Sequence, residues 1–334
     1  MARLSDRPPA IASPALVPAQ AVFEDRGCDR PALTIGLINN MPDAALKATE
    51  RQFSRLIEAA TGDTPVRFHC FTLPSIRRSA PAQWHVDQSY DDIADLPRLR
   101  LDGLIVTGAE PMTRTLPQES YWRELTGLID WAAINTRSTI WSCLAAHAAV
   151  LHLDGIERQR LPRKCSGVYD CVKMGDDWLT RDAPSPLRVP HSRLNELRED
   201  DLTACGYQIL TRSEEAGVDI FCRQGQSRFI FFQGHPEYDA HSLQREYMRD
   251  IARFLSGERD DYPNMPAGYF DAETEQILAR FERRAKAERE PTLAADLPGL
   301  ALRGGIEAGT AAAGVFRNWI GFLAESARTT LPVR

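Results

Sequence analysis

No run of apolar residues approaches the roughly 18 that a bilayer-spanning helix needs, so a membrane protein is not expected. There is no excess of basic charge either. The 40 Lys and Arg stand against 46 Asp and Glu, a formal net charge of −6, and a nucleic-acid-binding face is not expected. A few cations placed in a cleft would still serve an anionic small molecule. The chain also lacks a CxxC pair, an HExxH motif, a Gly-rich phosphate loop and internal repeats, so no metal centre is expected. The seven cysteines (Cys28, Cys70, Cys143, Cys165, Cys171, Cys205 and Cys222) are odd in number and scattered. Free thiols in a reducing cytoplasm fit that usage better than disulfides. At the start, Arg3, Asp6, Arg7 and several prolines interrupt any secretory apolar core, and residues 1–30 are expected to be a disordered lead-in.

What is present is an ordinary globular composition, 43% hydrophobic and 26% charged over 334 residues. Strand-like runs alternate with helix-like stretches from residue 32 onward. Ala32–Ile38 is followed by an amphipathic stretch over Asp43–Ala60, then a strand over Val66–Leu73. Leu101–Val106, a helix over Tyr121–Asn135, the strand Ser138–Ser142 and a helix from Cys143 to Leu151 continue the pattern. Residues 74–96 read as irregular. Residues 162–227 read as strand-rich with short turns, ahead of a buried strand at Arg228–Phe232 and a helix over Ala240–Leu255. Such alternation predicts a parallel sheet flanked by helices on both faces. The main domain is expected over 31–260. A helical extension over 261–334 would carry helices at Ala272–Glu290 and Phe316–Ala327, the latter packing on the domain or forming a homodimer through Phe316, Trp319 and Phe322.

Two features carry chemistry. Cys143 stands where a buried strand turns directly into an Ala-rich helix, the position of a nucleophile elbow. A helix N-terminus favours the thiolate, and backbone N–H groups of the turn, that of Leu144 among them, can hold an oxyanion. A buried structural cysteine would occupy the same position equally well. Gly234-His235-Pro236-Glu237 follows the buried strand Arg228–Phe232, which puts His235 at the same sheet edge. Alone this is as much a loop histidine as a base. Together with Cys143 it points to a Cys-His-Glu triad, with Glu237 orienting the imidazole.

With these residues in view, the sequence resembles the homoserine O-succinyltransferases and their acetyltransferase relatives, enzymes of methionine biosynthesis. The resemblance rests on IGLINNMP, TERQF, PAQWH, LDGLIVTGA, STIWSC, SGVYD, PHSR, GHPEYDA and the following REYMRD, in order between residues 32 and 325. It implies a fold like that of class I glutamine amidotransferases, with no cofactor beyond acyl-CoA as co-substrate. It implies an acyl-thioester on Cys143, His235 as general base and Glu237 as its support. Arg249 would grip the homoserine carboxylate, Lys164 and Ser192 would bind substrate, and Glu246 would be structural support. Lys47 matches a functional lysine, with the segment from Asp43 two residues longer than its counterpart. His147 replaces a glutamine of the family and reads as a packing residue. The position separating succinyl from acetyl donors falls at Met112, where relatives carry Gly or Glu, so the donor stays open between succinyl-CoA (favoured) and acetyl-CoA. The rival readings are an acyltransferase acting on another hydroxy amino acid such as L-serine, a glutamine amidotransferase-like hydrolase, and a silent paralogue that only binds.

Overall fold

The computed structural model describes residues 21–23, 32–297 and 310–329. Its elements run β1 (Ala21–Phe23), β2 (Leu33–Ile38), α1 (Asp43–Thr61), β3 (Val66–Phe71), α2 (Ala80–Ser89), β4 (Gly103–Val106), α3 (Trp122–Asn135), β5 (Ser138–Ser142), α4 (Leu144–Asp154) and β6 (Gln159–Lys173). They continue with β7 (Leu187–Glu196), α5 (Glu199–Ala204), β8 (Gln208–Ser213), β9 (Gly217–Arg223), β10 (Arg228–Phe232), α6 (Ser242–Leu255), α7 (Ala272–Glu288) and α8 (Thr310–Thr329). The strands make one ten-stranded sheet in the order β1-β3-β2-β4-β5-β10-β9-β8-β6-β7.

The expectation of a parallel sheet holds for half of it. β3, β2, β4, β5 and β10 are parallel to one another, whereas β1, β9, β8, β6 and β7 join antiparallel. The reason lies in the connections. The parallel strands are joined through helices, while β8 reaches β9, and β9 reaches β10, through turns too short for a crossover. β2, β4 and β10 are near-continuous apolar runs, and β5 is buried along its whole length, because both faces of these strands are covered. Successive residues serve opposite sides. Ile105 and Ile140 pack under α1 and α8, and Leu104 and Trp141 under α3 and α4.

Three further corrections concern single segments. The stretch 74–96 holds α2 and a 3₁₀ turn at Ile93–Arg98. α2 buries only Ala82 and His85, so it carries no helical stripe in its sequence. The strand-rich stretch contains α5, whose first turn bears Glu199, Asp200 and Asp201, the charge a helix N-terminus favours. Within the expected lead-in, Ala21–Phe23 pair with β3; the rest of 1–30 and Cys28 lie outside the described residues, apart from that strand.

α8 completes the core and spends its aromatic face within the chain. Phe316, Trp319 and Leu323 are fully buried against β2, β4 and β5. A Cβ on Gly103 would stand 2.6 Å from Leu323 and 2.7 Å from Trp319, so only glycine lets the helix lie this close to β4. The Trp319 indole N–H donates to Ser138 Oγ at 3.0 Å. No helix among the described residues is long and apolar enough to cross a membrane.

Candidate active site

β5 and β10 are adjacent and parallel, with Ser142 level with Phe232. The residues that leave their carboxyl ends therefore emerge side by side, at the edge where open α/β sheets place ligands. Cys143 N–H donates to Phe232 O at 2.7 Å, which ties the turn to the neighbouring strand. Cys143 itself has φ 53° and ψ −111°, a conformation an L-residue rarely adopts, and α4 begins at the next residue. At the end of β4, Gly108 lies against this elbow: a Cβ there would meet Leu144 Cβ at 2.6 Å and Leu144 N at 3.1 Å.

His235 is buried, and its backbone N–H donates to Pro190 O at 2.7 Å. Its Nδ1 lies 2.9 Å from Glu237 Oε1, which leaves Nε2 to serve the sulfur. The ring stacks on Tyr238, with centroids 4.2 Å apart. Burial alone would lower the imidazole pKa. The charge and hydrogen bonding of Cys143 and Glu237 reverse this and hold it well above its ordinary value. The triad inferred from sequence is thus brought together.

Beside it, the β6–β7 hairpin delivers Lys164 and Ser192 to α6. Lys164 Nζ lies 3.0 Å from Asp250 Oδ2 and 3.4 Å from Glu246 Oε2. Ser192 Oγ donates to Glu246 Oε2, and Tyr238 Oη donates to Glu246 Oε1 at 2.5 Å. Burial would raise the Glu246 carboxyl, yet Lys164 and the two hydroxyls keep it below its usual range. Arg249 sends Nε and Nη2 to Asp250 Oδ1, at 3.2 and 3.0 Å. Glu246 is therefore the hub of this side of the site. The sequence reading gave no part to Tyr238 or Asp250, although both stand inside quoted motifs, GHPEYDA and REYMRD.

Cys143, His235, Glu237, Tyr238, Lys164, Ser192, Glu246 and Arg249 line one cavity of about 1040 Å³, together with Leu144, His147, Arg158 and Arg193. Two expected positions are not brought in. Met112 is 83% exposed and does not line the cavity; its backbone N–H donates to Glu119 Oε1 at 2.9 Å. Lys47 is exposed on α1 and also stands apart from the lining. His147 is fully enclosed, with Nε2 3.1 Å from Gln233 Oε1, and burial pushes its pKa down to about 3. It packs as a neutral ring.

Behind His235 lies a second buried group. His191 Nε2 is 3.4 Å from Asp219 Oδ1 and 4.0 Å from Cys171 Sγ. Arg193 Nε donates to His191 Nδ1 at 3.5 Å, so the proton of the neutral ring sits on Nε2, facing Asp219. Cys171, His191 and Asp219 are all buried and bring one ligand-type atom each to within 4.8 Å of one another. A Cβ on Gly234 would meet Asp219 Oδ1 and Val189 Cγ1 at 2.6 Å and His191 Nε2 at 2.9 Å, so this group sets the position of the His235 loop.

A cysteine on a strained strand-to-helix turn, beside a carboxylate-supported histidine from the next parallel strand, is an arrangement on an α/β sheet that suits nucleophilic chemistry. The family profile described as "HTS: Homoserine O-succinyltransferase" matches residues 24–289. A homoserine O-succinyltransferase of Bradyrhizobium japonicum is 61% identical over 97% of this chain and 100% of its own length. One from Rhodopseudomonas palustris is 59% identical over 96% and 98%. Among solved structures, a glutamine amidotransferase from Thermotoga maritima aligns with TM-score 0.47 and 12% identity, over 89% of this chain and 100% of that one. The chain belongs to the homoserine O-succinyltransferase family.

Proposed function

We propose that this enzyme moves a succinyl group from succinyl-CoA to the hydroxyl of homoserine in two steps, through a thioester on Cys143, in the cytoplasm. The observation that carries the mechanism is the line from Glu237 through His235 to Cys143, beside a cavity with room for both substrates. The relatives' shared name carries the substrates.

In the first step the Cys143 thiolate attacks the thioester carbonyl of the donor, and the Leu144 N–H at the start of α4 faces the developing oxyanion. The tetrahedral intermediate collapses and the bond to the CoA sulfur breaks. His235, protonated beside the thiolate, gives its proton to that sulfur. In the second step homoserine enters, held by the free Nη1 arm of Arg249 at its carboxylate. Its hydroxyl loses a proton to His235 as the oxygen attacks the thioester carbon. Cys143 leaves as thiolate, with His235 again protonated, and the ester departs. Lys164 and Ser192 act through Glu246 to shape the acceptor end of the cavity. Because the nucleophile is only half-buried, water has to be kept out by the substrates themselves.

The test is intact-protein mass after mixing with succinyl-CoA or acetyl-CoA, followed by homoserine or L-serine. The expected result is one succinyl adduct, absent from Cys143→Ala and discharged by homoserine alone. An acetyl adduct, or discharge by serine, would reassign donor or acceptor. No adduct from either donor would overturn the acyl-transfer reading.

A further inference from the structure

Succinyl differs from acetyl by a carboxylate two methylene groups beyond the reacting carbonyl, so a site that uses it needs a cation within that reach of Cys143. Most cations of the cavity are already committed. Lys164 is paired with Asp250 and Glu246, and Arg249 with Asp250. Arg193 donates to His191 Nδ1 and to the backbone carbonyls of Asn195 and Ala216.

Arg158 is different. The left-handed Gly155 turns the chain back off the end of α4, and Arg158 returns to line the cavity, half-buried. Among the described residues its guanidinium has no hydrogen-bond or ion-pair partner. Burial pulls its pKa down against the charges of Tyr121, Glu119 and Cys143. Of these, Glu119 commits Oε1 to Met112 N, Thr113 N and Thr113 Oγ1. Arg158 and Cys143 line the same cavity, and the Arg158 charge helps to lower the pKa of His147, one turn along α4. A partly desolvated guanidinium with no anion in hydrogen-bond contact is a cost that a bound carboxylate would reduce. The remaining uncommitted cations of the lining, Arg114 and Arg160, are exposed, which suits them to the phosphates of CoA.

We propose that Arg158 binds the free carboxylate of the succinyl group and thereby selects the charged acyl donor. This rests on the succinyl-transfer reading above. It also moves donor selection away from Met112, which is exposed and does not line the cavity, to a residue that does.

The experiment compares wild type, R158A and R158K with succinyl-CoA and with an uncharged donor (acetyl-CoA or butyryl-CoA), at saturating homoserine. Inhibition by free CoA is measured alongside. In R158A, kcat/KM for succinyl-CoA is expected to fall about 10- to 100-fold, the range of a lost charge-assisted pair. The uncharged donor and the CoA inhibition constant should change less than about threefold, which also shows the variant is folded, and R158K should recover part of the loss. An equal fall for both donors, a matching loss of CoA binding, or no change with succinyl-CoA would each overturn the assignment. A wild type that never acquires a succinyl adduct would instead overturn the succinyl-transfer reading, and Arg158 with it.

Discussion

Cys143 and Glu237 together hold the His235 ring in its charged form against the cost of its burial. The His235 pKa is raised, so the stability contributed by its pairing is complete below the ordinary imidazole value of 6.5 and is lost as pH rises through the folded value. The first chemical step has the same sign, since His235 must still hold the proton it gives to CoA. Replacing Glu237 with Gln removes one of the two raising charges. The alkaline limb of succinyl-CoA kcat/KM should therefore move to lower pH, and kcat should fall by roughly 10²-fold or more. A pH–rate series for both proteins checks this, and an unmoved limb would remove Glu237 from the coupling. These three residues were legible in sequence because each sits at the end of a buried strand. Arg158 was not, since nothing in GIERQR shows that the turn after α4 returns to line the cavity of Cys143.

The parallel strands and the long helices were legible because their burial is written into residue periodicity, as in Leu46, Phe53, Leu56 and Ile57 of α1. α2 and α5 were not, because short helices that bury one or two residues leave no stripe. What links β10 to catalysis is also invisible in sequence, namely the close approach of His191 and Asp219 to Gly234. Gly234→Ala is expected to cost about 1–3 kcal/mol through overpacking and to displace His235, lowering the rate of thioester formation. Gly127→Ala on α3, where a Cβ meets nothing within 4 Å, should instead stabilise by about 0.5–1 kcal/mol with acylation unchanged. Thermal unfolding and stopped-flow acylation on the two variants separate these outcomes. Equal behaviour would mean that the group behind Gly234 does not fix the loop.

Over the whole molecule, the sequence suggested a parallel sheet with a helical appendix; the structure has a sheet whose antiparallel half carries cavity-lining residues and a last helix that is part of the core. The short turns of 162–227 already required antiparallel pairing. No local pattern told that Trp319 would seat on Gly103. Trp319→Ala should therefore destabilise by about 3–5 kcal/mol, the cost of deleting a buried ring, and denaturant unfolding would read it. A loss below about 1 kcal/mol would show α8 to be dispensable to the core. The seat of that helix also has a consequence in time. Ser138 and the indole that caps it are 181 residues apart, so at ribosomal speeds of ~5–20 residues per second β5 is made roughly 10 to 40 seconds before its cover. During that interval the face of the sheet that α8 will cover lacks its final layer, and it is closed only when Trp319 arrives.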